Sequence, residues 1–437
     1  MRFERAGGFY SFPFSILLVA LFVCLLPVAA LCAVWESVGP SGGYFLGSVT
    51  NPADASQITA VTNGPSNVYQ SGDGGTSWSK IGEIDASPYI LNDFAAFDFS
   101  KLFAITTSGC YRSTDGGENW LYTAFPSYAR SAYRVCVDPT DGDKVYAVGL
   151  DYNSFDGKYN MVFLKSTDGG KYWTARGFLK FDYFYPQDMA VSKSNPNIIY
   201  VAGIQETYTD LTYYYYGALL KSSDGGDNWE DISSSVEPEP YQYFLSVAVD
   251  PTNAENVYVG GISYFYRAIR TGRNRVLTWQ RIQRSLPVCA IGIDPGDPSR
   301  IYAAGYQSVS VSTDYGQSWT DHSDGIGGEG THVEVAPADH STVYVSTDNG
   351  LSKSSDSGNN WGFSHEGIHA AKVTAIAVAP SNPTTVLLEY DGVGMMGSYD
   401  SGGKWADLGY FVGCGNVCDI VVNPTNENSV LALEGAG

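Results

Sequence analysis

One eight-residue phrase recurs along almost the whole of this chain and limits what it can fold into. It is first met as SGDGGTSW at 71–78. It returns as STDGGENW (113–120), STDGGKYW (166–173), SSDGGDNW (222–229), STDYGQSW (312–319), SSDSGNNW (354–361) and SYDSGGKW (398–405), all sharing S-x-D-x-G-x-x-W. An eighth copy, RTGRNRVLTW ending at Trp279, keeps the Trp and has lost the Asp. Each position suits a hairpin turn: the Ser hydroxyl and Asp carboxylate accept turn N–H groups, Gly supplies positive φ, and Trp packs across the turn. Asp73, Asp115, Asp168, Asp224, Asp314, Asp356 and Asp400 are therefore expected to be structural, each bonded within its own turn. Trp78, Trp120, Trp173, Trp229, Trp319, Trp361 and Trp405 are expected to be the staples that close those turns.

A second phrase precedes the turns: an alternating apolar strand, a Pro turn and a β-rich strand, as in VCVDPTDGDKVYAVG (135–149), VAVDPTNAENVYVGG (247–261), IGIDPGDPSRIYAAG (291–305) and VEVAPADHSTVYVST (333–347). Where no copy is degenerate, successive Asp positions are 42 to 56 residues apart. That period, with about four short strands per unit, fits propeller blades rather than helical repeats. No stretch keeps a helical period, so the chain beyond its first 33 residues is read as all-β.

With seven near-complete copies, the phrase resembles the Asp-box, or BNR, repeat of sialidases, sortilin and related β-propellers. The resemblance implies a β-propeller of four-stranded antiparallel blades over 34–437. Counting turns and strand phrases gives eight blades in one ring, the alternative being seven plus part of a second propeller. Trp35–Val38 resembles the strand after a box and is a candidate to complete a closing blade with C-terminal strands.

Residues 1–33 combine Arg2 and Arg5 with an apolar run and small residues at Ala29, Ala30 and Ala33, which predicts a signal peptide. The alternative is an uncleaved membrane anchor, the one route to membrane contact. A net charge of −21 argues against nucleic acid as a partner. The absence of an N-x-[ST] sequon with x other than Pro points to a prokaryotic protein, secreted, periplasmic or at the cell surface. Cys136 and Cys289 read as buried thiols, and Cys414 with Cys418 as a candidate loop disulfide. No cofactor or metal is expected. His365–His369 fits H-E-x-x-H, but its place after Trp361 matches the linker after Trp319, and Gly325–Gly330 fits G-x-G-x-x-G with no helix to follow. DPTDGD at 138–143 reads as a strand turn rather than a calcium loop.

Whether the chain is an enzyme is left open, with a non-catalytic reading preferred and no catalytic residue assigned. Sialidase-like catalysis calls for an Arg-Ile-Pro phrase that is absent. WESVGPSGGYFLGSV (35–49) is similar to the opening of xyloglucan-cleaving propeller endoglucanases, which pair two propellers around the site. Their resemblance implies a catalytic Asp after the second strand of the first blade, where this chain has Asn63, and an amide cannot serve as a carboxylate base.

The distribution of aromatics separates the chain from a bare propeller. Loops after the second and fourth strands of each blade share one face, opposite the boxes. In blades three to five those positions carry Tyr152, Tyr159, Tyr183, Tyr185, Tyr208, Tyr213, Tyr214, Tyr215, Tyr216, Tyr241 and Tyr243. Aromatics on a rigid scaffold grip sugars or proteins. The expectation is a secreted, monomeric, non-catalytic propeller binding an extracellular glycan or protein there; the alternative is a propeller glycoside hydrolase acting on a β-glucan such as xyloglucan. Six arginines between Arg267 and Arg284 form a candidate basic strip, with internal pairing as the competing reading.

Overall fold

The computed structural model describes residues 42–434 except 64–65, 88, 90, 128–130, 154–157, 181–182, 210–211, 237–238, 272–275, 323, 365–368, 371–372, 381, 391–393, 401–403, 410–416 and 424–425. The signal-peptide segment, Trp35–Val38, Cys414 and His365–Ile368 lie outside the described residues, as does the side chain of Cys418. Eight four-stranded antiparallel sheets follow one another, spanning 42–83, 93–124, 131–180, 183–231, 244–283, 290–322, 330–363 and 373–409. A hairpin of Val417–Asn423 and Asn426–Glu434 comes last. The one helix among the described residues is the single turn Ser233–Val236.

The second strand of each sheet is apolar almost throughout because a blade is covered on both faces. Its Tyr, as Tyr146, Tyr200, Tyr258, Tyr302 and Tyr344, is fully buried. Several first strands carry a bulge, at Phe45/Gly47, Pro186/Asp188, Phe244/Ser246 and Gly330/His332, which bends the strand nearest the ring axis.

The eight four-stranded sheets are those the repeat predicts, but they do not share one ring. Consecutive first strands pack in turn from sheet one to sheet seven, and sheet seven packs back on sheet one. At this seam Trp78 Nε1 donates to Ser364 O (2.8 Å), Ser364 Oγ donates to Gly75 O (2.7 Å), and Tyr344 OH and Lys353 Nζ donate to Gly74 O at 3.1 and 2.7 Å. Phe45, Ile58, Tyr69 and Trp78 of the first sheet bury themselves against Tyr344 and Leu351 of the seventh. Sheet eight packs instead on the final hairpin, through Leu387 and Val422. The arrangement is thus the alternative, a ring of seven blades followed by further propeller-like sheet. The box phrase specifies a four-stranded unit and carries no information on which unit it will meet. The first blade is complete within 42–83, so closure needs no borrowed strand; His369–Ala370 only adds a short parallel pairing to Gly42 and Gly43.

The boxes hold the bonds their chemistry predicts. In blade two, Ser113 Oγ accepts from Gly117 N (2.9 Å) and donates to Asp115 Oδ1 (2.7 Å), while Asp115 accepts from Asn119 N (3.0 Å) and Nδ2 (2.8 Å). Asp73, Asp168, Asp224, Asp314, Asp356 and Asp400 bond within their turns in the same way. These donors hold Asp73, Asp115 and Asp356 at about 2, well below the ordinary carboxylate range. Trp78 and Trp173 are buried; Trp120, Trp229, Trp319, Trp361 and Trp405 are half-buried. In five boxes the indole N–H donates to the carbonyl of its own box glycine, for instance Trp229 Nε1 to Gly226 O at 3.1 Å. The strand turn at Asp138 is likewise self-contained, its carboxylate taking both N–H and Oγ1–H of Thr140.

Candidate functional site

The face opposite the boxes rises highest over blade four. Positions 205–209 and 212–216, expected as loop, are strand: Ile199–Thr209 and Thr212–Ser222 pair without a break from Ile199↔Ser222 to Thr209↔Thr212. Alternating Thr and Tyr have high strand propensity, so pairing continues where a loop was expected. Blade three does the same with Asp141–Asn153 and Lys158–Ser166, which place Tyr152 opposite Tyr159. The side chains of Tyr152, Tyr159 and Tyr208 lie outside the described set.

Register decides which rings share a surface, because directly paired residues point the same way. Tyr183 pairs Glu206, which pairs Tyr215; Tyr185 pairs Ile204; Tyr208 pairs Tyr213. These residues make one face of the projecting sheet, the face turned toward blade five. Tyr214 and Tyr216 stand on the other face with Phe184, which is fully buried against blade three. On the first face the rings of Tyr183 and Tyr185 lie side by side, 6.3 Å apart and only 13° from parallel, and Tyr243 meets Tyr215 edge-on at 6.3 Å. Tyr185 is 40% exposed and Tyr213 54%. Partial desolvation, followed by the Glu206 carboxylate, raises the Tyr215 phenol above its usual range. The free edge of the sheet is clamped by Tyr241, which has a φ of 63°, donates its N–H to Tyr215 O (2.6 Å), and sets its ring 6.3 Å from Tyr214. Of the sequence-predicted tyrosines with described side chains, Tyr183, Tyr185, Tyr213 and Tyr215 therefore share one face of the blade-four sheet, Tyr214 and Tyr216 lie on the other, Tyr241 clamps the edge and Tyr243 meets Tyr215.

Sequence reading missed a second feature, the ring's central channel of about 500 Å³. Its wall includes Tyr44, Asp93, Arg134, Asp188, Cys289, Glu329, His332 and Asp348, contributed by six different blades. Asp93 bridges blades by accepting from Val135 N (2.8 Å), and Asp188 does so by accepting from Val247 N (2.8 Å). Burial raises both, Asp188 to about 6, against the opposing pull of Arg134 and these backbone donors. At the mouth, Asp348 Oδ1 accepts from Glu329 N (2.7 Å); burial raises Asp348, its bond from Glu329 N opposes the rise and the Glu329 carboxylate adds to it. The Cys289 thiol donates to Glu329 Oε1 (3.2 Å), and burial with that carboxylate keeps it protonated. No group of three or more metal-ligating side chains occurs among the described residues.

Asn63 ends the second strand of blade one and donates Nδ2 to Leu91 O (2.9 Å), while its Oδ1 is buried without a partner. Asp348 holds the same place in blade seven. The residue before each pairs the last position ahead of the first-strand bulge, Thr62 with Phe45 and Thr347 with Gly330. Neighbouring blades across the seam thus present an amide and a carboxyl at one register position.

The described arginines are internally engaged. Arg267 is buried and donates to Gln280 Oε1 (2.8 Å) and Tyr315 O (3.0 Å); Arg281 caps the Tyr264 ring at 4.6 Å; Arg284 lies 5.1 Å from the Trp319 ring and bonds Asp321 at 2.8 Å. Among these three the basic strip is structural; the side chains of Arg270, Arg273 and Arg275 lie outside the described residues.

No family model matches the chain. It is 25% identical over 223 residues to a xyloglucanase of a Paenibacillus species, a match that takes in 48% of this chain and 18% of the relative. The chain thus spans less than a fifth of that relative's length. Among solved structures it is similar to an ancestral glycoside hydrolase family 74 enzyme (TM-score 0.61, 17% identity, 92% of this chain and 60% of that one). It is also similar to the family 74 xyloglucanase of Xanthomonas campestris (TM-score 0.59, 14% identity, 90% and 71%) and a family 74 enzyme of Niastella koreensis (0.55, 15%, 91% and 70%). These likenesses establish the β-propeller fold. No described helix is long and apolar enough to cross a membrane.

Proposed function

We propose that this chain is a secreted propeller that acts on a neutral β-glucan of the xyloglucan class, which lies across the face opposite the boxes. The reading that best fits is the glycoside hydrolase, set out above as the alternative. The observation that carries it is the likeness to a xyloglucanase in sequence, joined to a ring of seven blades that is followed by a further sheet rather than closed as eight. In this reading the tyrosine wall of blade four stacks sugar rings, and Glu206 accepts their hydroxyls. Each ring contributes about 0.5–1.5 kcal/mol beyond its buried area. The positive φ of Tyr241 is the local strain that fixes the wall.

Glu329 and Asp348 supply the paired carboxyls that hydrolysis needs, Asp348 holding a proton above the usual carboxylate range. The test is release of reducing ends from xyloglucan by the whole protein, with Asp348→Asn expected to lower the rate at least a hundredfold while leaving retention on xyloglucan unchanged. A second reading, glycan binding without cleavage, is favoured by Asn63, whose amide stands where the resemblance implies a carboxylate. Retention with no release from the unmutated protein selects that reading. Neither retention nor release removes both.

A further inference from the structure

The loss of the fifth box leaves two donors without the acceptors that the repeat elsewhere provides. In intact blades the box does more than close its own hairpin, since its two glycine-position carbonyls also face donors. At three interfaces the first takes a cation from the third strand of the preceding blade: Lys165 Nζ donates to Gly225 O (2.8 Å), Arg267 to Tyr315 O (3.0 Å) and Lys353 Nζ to Gly74 O (2.7 Å). The second takes the box indole, as Trp229 does from Gly226 and Trp319 from Gly316, both at 3.1 Å.

Between blades four and five the donors remain and the box sequence is lost. Lys221 sits in the register position of Lys165, one residue before the box serine, with its Nζ 5.7 Å from the Tyr200 ring centre. Lys165 lies 5.9 Å from Tyr146, and Lys353 lies 5.7 Å from Tyr344. The box that would offer it a carbonyl is lost from the sequence of the fifth blade. Trp279 lies within a continuous strand, Val276–Gln283, paired to Ala268 where an intact box has serine. Its Nε1 is buried and has no hydrogen-bond partner among the described residues. Both side chains line a pocket of about 500 Å³ walled by Tyr200, Glu230, Val236 and Val257, a volume in the range of small-ligand sites. A buried N–H left unpaired is destabilising, and an arriving acceptor would recover that loss.

We infer that this pocket is a docking site for a glycine-containing peptide turn of a partner protein, which presents successive backbone carbonyls to Lys221 Nζ and Trp279 Nε1. The geometry selects the class. In the intact interfaces these donors meet neutral peptide carbonyls on a glycine-containing turn packed against the preceding blade. Glu230 pairs across the strands from Lys221 and lines the same pocket, so an anionic ligand would meet a carboxylate there, whereas a neutral carbonyl would not. The site lies on the box side of the ring and does not depend on the glycan reading of the opposite face.

The test titrates the whole protein, with tryptophan indoles labelled by nitrogen-15, with acetyl-Ser-Gly-Gly-Ser-amide. The Trp279 signal is identified by its absence in Trp279→Phe. A saturable downfield shift of that one indole is expected. Lys221→Met is expected to weaken the titration at least tenfold at an unchanged unfolding temperature, since Lys221 gives up no acceptor when it is replaced. An indole that does not move, or a titration that Lys221→Met leaves intact, overturns the site. Cello-oligosaccharides serve as the parallel probe; a shift with sugar and none with peptide overturns the peptide assignment.

Discussion

Two adjacent glycines in the fourth box separate the cost of a turn from the cost of a blade interface. Gly225 and Gly226 have φ of +74° and +90°, so an alanine at either pays the left-handed penalty of about 1–2 kcal/mol. Their surroundings differ. A Cβ on Gly225 meets only the flexible end of Lys165 at 3.5 Å and Asn197 Oδ1 at 3.6 Å. A Cβ on Gly226 comes to 2.0 Å from Cε1 of Phe163 in the preceding blade. Phe163 has no room to retreat, since it is fully buried, stacked on Tyr146 at 5.5 Å and set against Trp229 at 4.9 Å. Forcing it aside adds about 1–3 kcal/mol of overpacking. Gly226→Ala should therefore be less stable than Gly225→Ala by roughly that amount, read as a lower urea midpoint at an unchanged slope. Hydrogen exchange should locate the added loosening in 161–166 as well as in blade four. Equal losses in the two variants would refute the argument that box glycines seat one blade on the next.

Asp188 gives a pH signature. Its carboxyl is raised from 3.8 to about 6 in the folded chain, so the native state binds the extra proton, and stability falls by up to about 3 kcal/mol as pH rises from 4 through 6. Asp188→Asn should flatten that slope in urea melts, and an unchanged slope would count against it. Arg284→Ala removes a cation bonded to Asp321 and packed on Trp319, and should cost about 2 kcal/mol while leaving retention on heparin unaltered. Replacing 207–214 by a short Gly-Ser turn should abolish retention on xyloglucan without lowering the unfolding temperature, because Tyr213 is half-exposed; a large fall in that temperature would show the hairpin tip to be core.

The box turns were legible because everything they need lies within eight residues: Ser113, Asp115, Gly117 and Asn119 complete each other's bonds locally. Ring closure was not legible, because it rests on pairs such as Trp78 with Ser364, far apart in the chain and carrying the same phrases as every other blade. The tyrosines could be placed on the correct side of the disc from strand order alone. Their division between two faces needed the register of Tyr183, Glu206 and Tyr215. Outside blade seven, the channel carboxyls escaped notice because each blade supplies only one. The available signal was a lone acid within an otherwise apolar first strand, as in DFAA at Asp93 and YFYPQDMAV at Asp188.

The seam between blades seven and one also sets a clock for synthesis. Trp78 must wait for Ser364, 286 residues later, before its indole finds an acceptor. At roughly 5–20 residues per second the ribosome needs on the order of 15–60 s to supply it. Blades two to six can stack on the preceding blade as each emerges, but Phe45, Ile58 and Tyr69 hold one flank of the first blade open to water until Tyr344 and Leu351 arrive. The nascent chain thus carries a lasting adhesive surface at its leading end, and any factor that shields unfinished rings of this protein has a target there.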